Sequence, residues 1–154
     1  MTGGAQLYRY AIIQQELDTP LITNIAQAIN GEYSAIACYA HLATVAPTEE
    51  ARKQIKEIRQ DEVRHFQTFS AIYTRLTGRQ PTPTITEPCP QSYKEGLDFA
   101  FKDEQETVDH YLDIADRARN PVIRTAFQRA AADEQNHAVW FLYLITKKSC
   151  SCQT

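Results

Sequence analysis

The sequence predicts an all-α chain: four long helices packed as a four-helix bundle, with one long crossover between the second and third. Three observations predict it. Apolar residues recur at three- and four-residue spacing through four segments, each bounded by a capping residue, proline or glycine. One stretch, 79–91, holds prolines at 81, 83, 88 and 90 and cannot be helical. Two Asp-Glu-x-x-His motifs recur 72 residues apart, so the second half of the chain reads as a repeat of a helix pair in the first.

Residues 1–18 are expected to form an N-terminal extension. Its Leu7, Tyr8, Tyr10, Ile12 and Ile13 suit a short helix, either on the bundle or at a subunit contact. Thr19 and Pro20 read as the N-cap and first residue of the first helix. Leu21, Ile25, Ala28, Ile29, Ile36, Tyr39 and Ala43 mark its apolar stripe, and Pro47 stops it. Thr48 caps the second helix, with Glu49 and Glu50 in a first turn whose dipole favours anions. Ile55, Ile58, Phe66, Phe69, Ile72, Tyr73 and Leu76 form its apolar face, and Gly78 ends it. A helix of about 29 residues is roughly 43 Å long at ~1.5 Å per residue. An extended linker of about 13–15 residues spans that length at ~3.3 Å each, so the second and third helices can run parallel. Ser92 and Glu95 form a capping box for the third helix, with Leu97, Ala100, Phe101, Val108, Tyr111, Leu112 and Ala115 along its stripe. Asn120 and Pro121 open the fourth, with Ile123, Phe127, Ala130, Ala131, Ala138, Phe141, Leu142 and Ile145 inside. Lys147 and Lys148 suit its last turn. The bundle thus spans 19–148, and a tail, 149–154, carries Cys150 and Cys152.

Bulk properties exclude several functions. A length of 154 residues suits one domain with a sizeable core. The formal charge of −3 gives no basic face for nucleic acid or an anionic membrane. No run of about 18 apolar residues occurs, so no transmembrane helix is expected, and the N-terminus has no secretory pattern. The expected location is cytoplasmic. The four cysteines, at 38, 89, 150 and 152, form no Cys-x-x-Cys pair, which argues against a zinc ribbon or rubredoxin-type iron site. Cys38 lies in an apolar pattern and reads as a buried small hydrophobe. The tail cysteines read as part of a reduced, disordered end, with a redox or metal-delivery role as the alternative.

The acidic residues carry the functional signal. Asp61-Glu62-Val63-Arg64-His65 and Asp133-Glu134-Gln135-Asn136-His137 are the twin motifs, and Glu32 and Glu104 are also 72 residues apart. Glu32 follows Ile29 by three residues, Glu62 follows Ile58 by four, Glu104 follows Phe101 by three, and Glu134 follows Ala130 by four. All four glutamates are therefore phased toward the core. One buried carboxylate without a partner costs several kcal/mol, so four at mid-helix imply cations. His65 and His137 sit three residues after Glu62 and Glu134, on the same faces. Any one of these glutamates alone reads as a solvated surface charge. Four together with two histidines match the ligand set of a carboxylate-bridged two-metal site.

Ligating histidines usually donate their second ring N–H to a carboxylate or carbonyl. Asp61 and Asp133 are placed for this, and the repeat suggests a crossed arrangement, Asp61 to His137 and Asp133 to His65. Tyr39 and Tyr111, again 72 apart, either hydrogen-bond to ligand carboxylates or fill core space with a wetted hydroxyl. His41 and His110 have no partner at ligand spacing and read as surface or satisfied helix residues. Trp140 fits a core or interface position, and Glu16, Glu57, Glu95 and Glu106 read as solvated.

Mixed carboxylate and imidazole ligation favours iron or manganese, with zinc also admissible. The chemistry this suggests is iron(II) oxidation coupled to reduction of peroxide or dioxygen. On Glu32, Glu62-x-x-His65, Glu104 and Glu134-x-x-His137, the chain over residues 20–148 resembles the ferritin-like superfamily, and within it a rubrerythrin-like di-iron protein lacking a rubredoxin domain. The resemblance implies two iron ions, with Glu62 and Glu134 bridging or capping them and His65 and His137 terminal. It also implies a peroxidase, ferroxidase or storage activity, with an external electron donor if the protein is catalytic. Rubrerythrins commonly carry a second glutamate three residues after the third-helix ligand; here Thr107 stands there. The only methionine is Met1, so no bridging haem is expected, and six residues after Lys148 are too few for a fifth helix, which favours a homodimer over a shell. A non-catalytic storage or metal-stabilised structural bundle is the alternative.

Overall fold

Caps and a proline set most of the helix limits. The structure, a computed structural model, describes residues 19–150 and side chains through Lys147. The expected extension 1–18, with Glu16, lies outside the described residues, as do residues 151–154 of the expected tail. The described residues form four helices: α1 Thr19–Val45, α2 Glu49–Thr77, α3 Tyr93–Arg117 and α4 Pro121–Cys150. α1 ends two residues before Pro47, because the residue preceding a proline is driven out of helical conformation. Thr48 Oγ1 accepts the Ala51 N–H at 3.2 Å to start α2. Gly78 stops it in a left-handed conformation, φ 71°, with its N–H on Thr74 O, a geometry that costs glycine nothing. At α3 the Ser92 hydroxyl accepts the Glu95 N–H at 3.2 Å and donates to the Glu95 carboxylate at 2.8 Å. Asn120 Oδ1 accepts the Val122 N–H at 2.8 Å to open α4, which runs to Cys150, two residues beyond the expected end of the bundle.

The crossover is extended, as its prolines require, and it climbs along α1. The Thr84 N–H donates to Asn30 Oδ1 at 2.9 Å, the Thr86 N–H to Ser34 Oγ at 3.0 Å, and Gln91 O lies 3.0 Å from His41 Nε2. Contacts that advance together along both segments mean that the crossover runs in the direction of α1. It delivers α3 at the far end of that helix, where a Cβ on Gly96 would lie 2.6 Å from Leu42 Cδ1. Glycine thus permits the close approach of α3 to α1. α3 therefore runs antiparallel to α1 and parallel to α2. Two hairpins, α1–α2 and α3–α4, face each other, with α1 beside α3 and α2 beside α4.

Cys38 is buried, but it is not a free thiol: it forms a disulfide with Cys89, their Cα atoms 5.1 Å apart and 51 residues apart in sequence. No spacing motif announces this pair; the path of the crossover creates it. Two stripe residues also face outward. Leu112 and Leu142 are exposed, while Ile114 and Leu144 occupy the core. Each exposed leucine directly follows a buried aromatic, and the 100° step per residue carries it off the apolar face.

The core has two apolar layers. Phe69 stacks on Phe127 with ring centroids 4.1 Å apart, and both meet Tyr111 edge-on, among Leu21, Ile25 and Ile29. The other layer gathers Tyr39, Leu42, Ile55, Ile58 and Leu97 around Phe141. No helix among the described residues is long and apolar enough to cross a membrane.

Candidate metal centre

Between those layers lie Glu32 from α1, Glu62 and His65 from α2, Glu104 from α3, and Glu134 and His137 from α4, all buried. They form two sets that share Glu62 and Glu134: one adds Glu32 and His65, the other Glu104 and His137, with ligand atoms within 4.8 Å of one another in each set. His65 Nδ1 faces Glu134 Oε1 at 3.0 Å, Glu62 Oε2 at 3.2 Å and Glu32 Oε1 at 3.4 Å. His137 Nδ1 faces Glu62 Oε1 and Glu134 Oε2, each at 3.0 Å, and Glu104 Oε2 at 3.6 Å. Glu62 and Glu134 therefore present one oxygen to each histidine, the placement of bridging carboxylates.

The supporting groups cross between the hairpins. His65 Nε2 lies 3.1 Å from Asp133 Oδ2, and His137 Nε2 lies 3.1 Å from Asp61 Oδ2. Arg64 in turn forms an ion pair with Asp61. The Tyr111 hydroxyl donates to Glu32 Oε1 and the Tyr39 hydroxyl to Glu104 Oε1, so the tyrosines bind carboxylates rather than water. The repeat extends into the packing, since Phe69 meets Tyr111 at 5.2 Å between centroids and Phe141, 72 residues on, meets Tyr39 at 5.1 Å.

This donor set fits two cations. A carboxylate accepts but does not donate, so the Nε2 proton of each histidine belongs to its aspartate. The Nδ1 lone pair is then free to point at the glutamate oxygens. Without a cation, one Nδ1–H must serve three carboxylates, and it cannot. Glu62 Oε1 and Glu134 Oε1 make no hydrogen bond although each lies 3.0 Å from a ring nitrogen. Two buried, unsatisfied carboxylate oxygens facing imidazole nitrogens are the sites a divalent metal fills.

Electrostatics report the same crowding. Burial, and then the charges of Glu62 and Glu134, hold the Glu32 carboxyl well above the usual range. Burial and Glu134 push Glu104 up to about 8. Burial works against protonation of His65 and His137. The close carboxylates of the surrounding glutamates outweigh it and raise both. Burial and the adjacent Glu104 carboxylate raise Tyr39; burial and Glu32 raise Tyr111, so both stay protonated donors.

The remaining sequence candidates lie elsewhere. His41 bonds to the crossover through Gln91 O. His110 sits beside Tyr111, outside the cluster, and burial lowers its pKa. Trp140 faces outward on α4, and Glu57, Glu95 and Glu106 are exposed. One further acid borders the site, and a second lies beside that acid. Asp103, raised to about 8 by burial and then by Glu87 and Glu104, lines the space beside the ligands with Gly31 and Thr107. Its phase, three residues after Ala100, marks its face, whereas Glu87 lies on the aperiodic crossover and gives no such signal. A larger groove of about 770 Å³ runs between the crossover, Leu97, Phe99 and Lys102, but none of the six candidate ligands lines it.

The bundle and its shared-carboxylate cluster define a class of protein, and comparison gives the same class. The ferritin-like domain model matches residues 6–147, and the chain belongs to that family. The chain is similar to the uncharacterised protein YhjR of Bacillus subtilis strain 168, 52% identical over 141 residues, covering 92% of this chain and 97% of that protein. A hypothetical protein from Pyrococcus furiosus has the same fold (TM-score 0.72, 16% identity, 87% of this chain and 93% of that one). So does part of a two-domain protein from Anabaena variabilis with DJ-1/ThiJ/PfpI-like and ferritin-like domains (TM-score 0.71, 15% identity, 83% of this chain and 39% of that one).

Proposed function

We propose that the protein is a rubrerythrin-like di-iron oxidoreductase that couples iron(II) oxidation to reduction of peroxide or dioxygen. The observation that carries this reading is the pair of ligand sets joined through Glu62 and Glu134. Iron, when bound, supplies the change of oxidation state that such a reduction requires. The chain's own residues supply the rest. Asp61 and Asp133 fix the imidazole tautomers. Tyr39 anchors Glu104 Oε1 and leaves Oε2 toward His137, while Tyr111 holds the Glu32 oxygen that also faces His65. Phe69, Phe127 and Phe141 close the site against water from both ends.

Thr107 supports a second reading. It lines the space beside the ligands and offers no carboxylate there, which favours a ferroxidase or iron-storing bundle over a peroxidase. Turnover separates the two. Anaerobic iron(II) loading followed by peroxide, with a reductant supplied, should give repeated peroxide loss for a peroxidase and one reaction per site for a storage protein. No diferric absorption and no peroxide loss with either oxidant would sink the oxidoreductase reading. Manganese or zinc in place of iron is checked by metal analysis of protein from its native host.

An external electron donor, a cytoplasmic location and a homodimer complete the proposal. Supporting the dimer, Val139, Trp140 and Tyr143 form an exposed apolar stripe on α4. Sedimentation at equilibrium tests it, and a monomer mass would remove it.

A further inference from the structure

We propose that Cys38 and Cys89 are a redox-active pair that resupplies two electrons to the metal centre after each peroxide is reduced; this rests on the oxidoreductase reading above. Four observations point to it. Cys38 lies six residues from Glu32 on α1, about 9 Å at ~1.5 Å per residue. It is bonded through the peptide to Tyr39, whose hydroxyl donates to Glu104, so a continuous path of covalent and hydrogen bonds joins the sulfur to a ligand carboxylate. Cys38 also borders a cavity of about 30 Å³ with Gly31, Ala35 and Asp103, and the same three residues line the space that reaches Glu32, Glu62, Glu104 and Glu134. Finally, Cys89 is only half-buried on the crossover, open to attack by a thiolate from outside.

The internal repeat sharpens this. It holds at the six ligands, the two aspartates and the two tyrosines, and breaks at this position, where Cys38 corresponds to His110. The bundle therefore does not require sulfur beside a tyrosine. The half of the site that ends on Glu104 carries it.

The step balances. The two thiols lose two protons and two electrons as the S–S bond forms. Peroxide gains two electrons and two protons as its O–O bond breaks, giving two waters. The metal pair ends in the oxidation state in which it began. An external dithiol resets the pair by exchange, becoming a disulfide itself.

The test uses the full chain, reduced with a phosphine, freed of it, and loaded anaerobically with iron(II). One equivalent of peroxide is added, and the thiols at 38 and 89 are counted by alkylation and peptide mass spectrometry, which keeps the tail cysteines separate. The expected result is loss of both thiols with return of the iron to its reduced absorption, at least about tenfold faster than in metal-free protein given the same peroxide. In Cys89→Ser the iron should oxidise at the wild-type rate and stay oxidised. Thiols that survive while iron stays oxidised in both proteins, or equal thiol loss with and without iron, would overturn the redox pair alone. If iron oxidises in neither protein, the functional reading falls and the pair with it. Wild-type thiol counts decide the matter even if the variant folds poorly.

Discussion

His65 Nε2 lies 3.1 Å from Asp133 Oδ2 on the opposite hairpin, and His137 repeats that distance to Asp61. The contact sets the tautomer of each ring and ties the two halves of the bundle together. Asp133→Ala should therefore weaken metal binding by about 10–100-fold while leaving the fold intact, because the Asp133 side chain is 49% exposed. Competition against a chromophoric chelator measures it. Unchanged affinity would mean that Nε2 needs no acceptor.

The two candidate ligand histidines differ from the other histidines in placement rather than in chemistry. His65→Ala removes a nitrogen that faces three carboxylates, whereas His110→Ala removes a ring outside the cluster. The first should lower metal affinity far more than the second. Equal affinities in a metal titration would count against the ligand assignment.

Tyr111→Phe deletes one hydroxyl and leaves Glu32 Oε1 without its donor in a fully buried setting. A hydrogen bond to a charged group contributes about 1.5–3 kcal/mol, and the metal-loaded protein should lose about that much in denaturant unfolding. Tyr39→Phe should match it through Glu104. A loss from one and none from the other would break the symmetry argued for the site.

Without metal, the protein should become less stable as pH rises. Glu104 has a folded pKa of about 8, above its ordinary value of 4.5, so the fold binds its proton more tightly than the unfolded chain does. Its contribution is full below about 4.5 and is lost as pH climbs through about 8. The raised histidines act in the same direction, starting from their ordinary value of 6.5. Bound metal displaces these protons, so loading should release protons and tighten with pH. The metal-dependent rise in Tm should grow between about pH 5 and about pH 8. A rise that shrinks over that range would contradict the raised values.

Much of this site is legible without coordinates, for a specific reason. Glu32, Glu62, Glu104 and Glu134 fall in phase with apolar neighbours, and a charged residue in a core stripe is costly enough to demand an explanation. The 72-residue repeat then supplies the crossed Asp–His pairs before any distance is known. The helix limits follow from local chemistry too: Thr48, Gly78, Ser92 and Asn120 act within four residues of themselves.

What the sequence by itself determined is what short-range periodicity encodes: four helices, their caps, the buried face of each and the six residues that converge. The tertiary structure alone decided what depends on the path of an aperiodic segment. The crossover 79–91 has no repeat to phase it, yet its route along α1 brings Glu87 to Asp103 and bonds Cys89 to Cys38. Partners 51 residues apart share no local pattern; only the packing of extended backbone against a helix brings them within bonding distance.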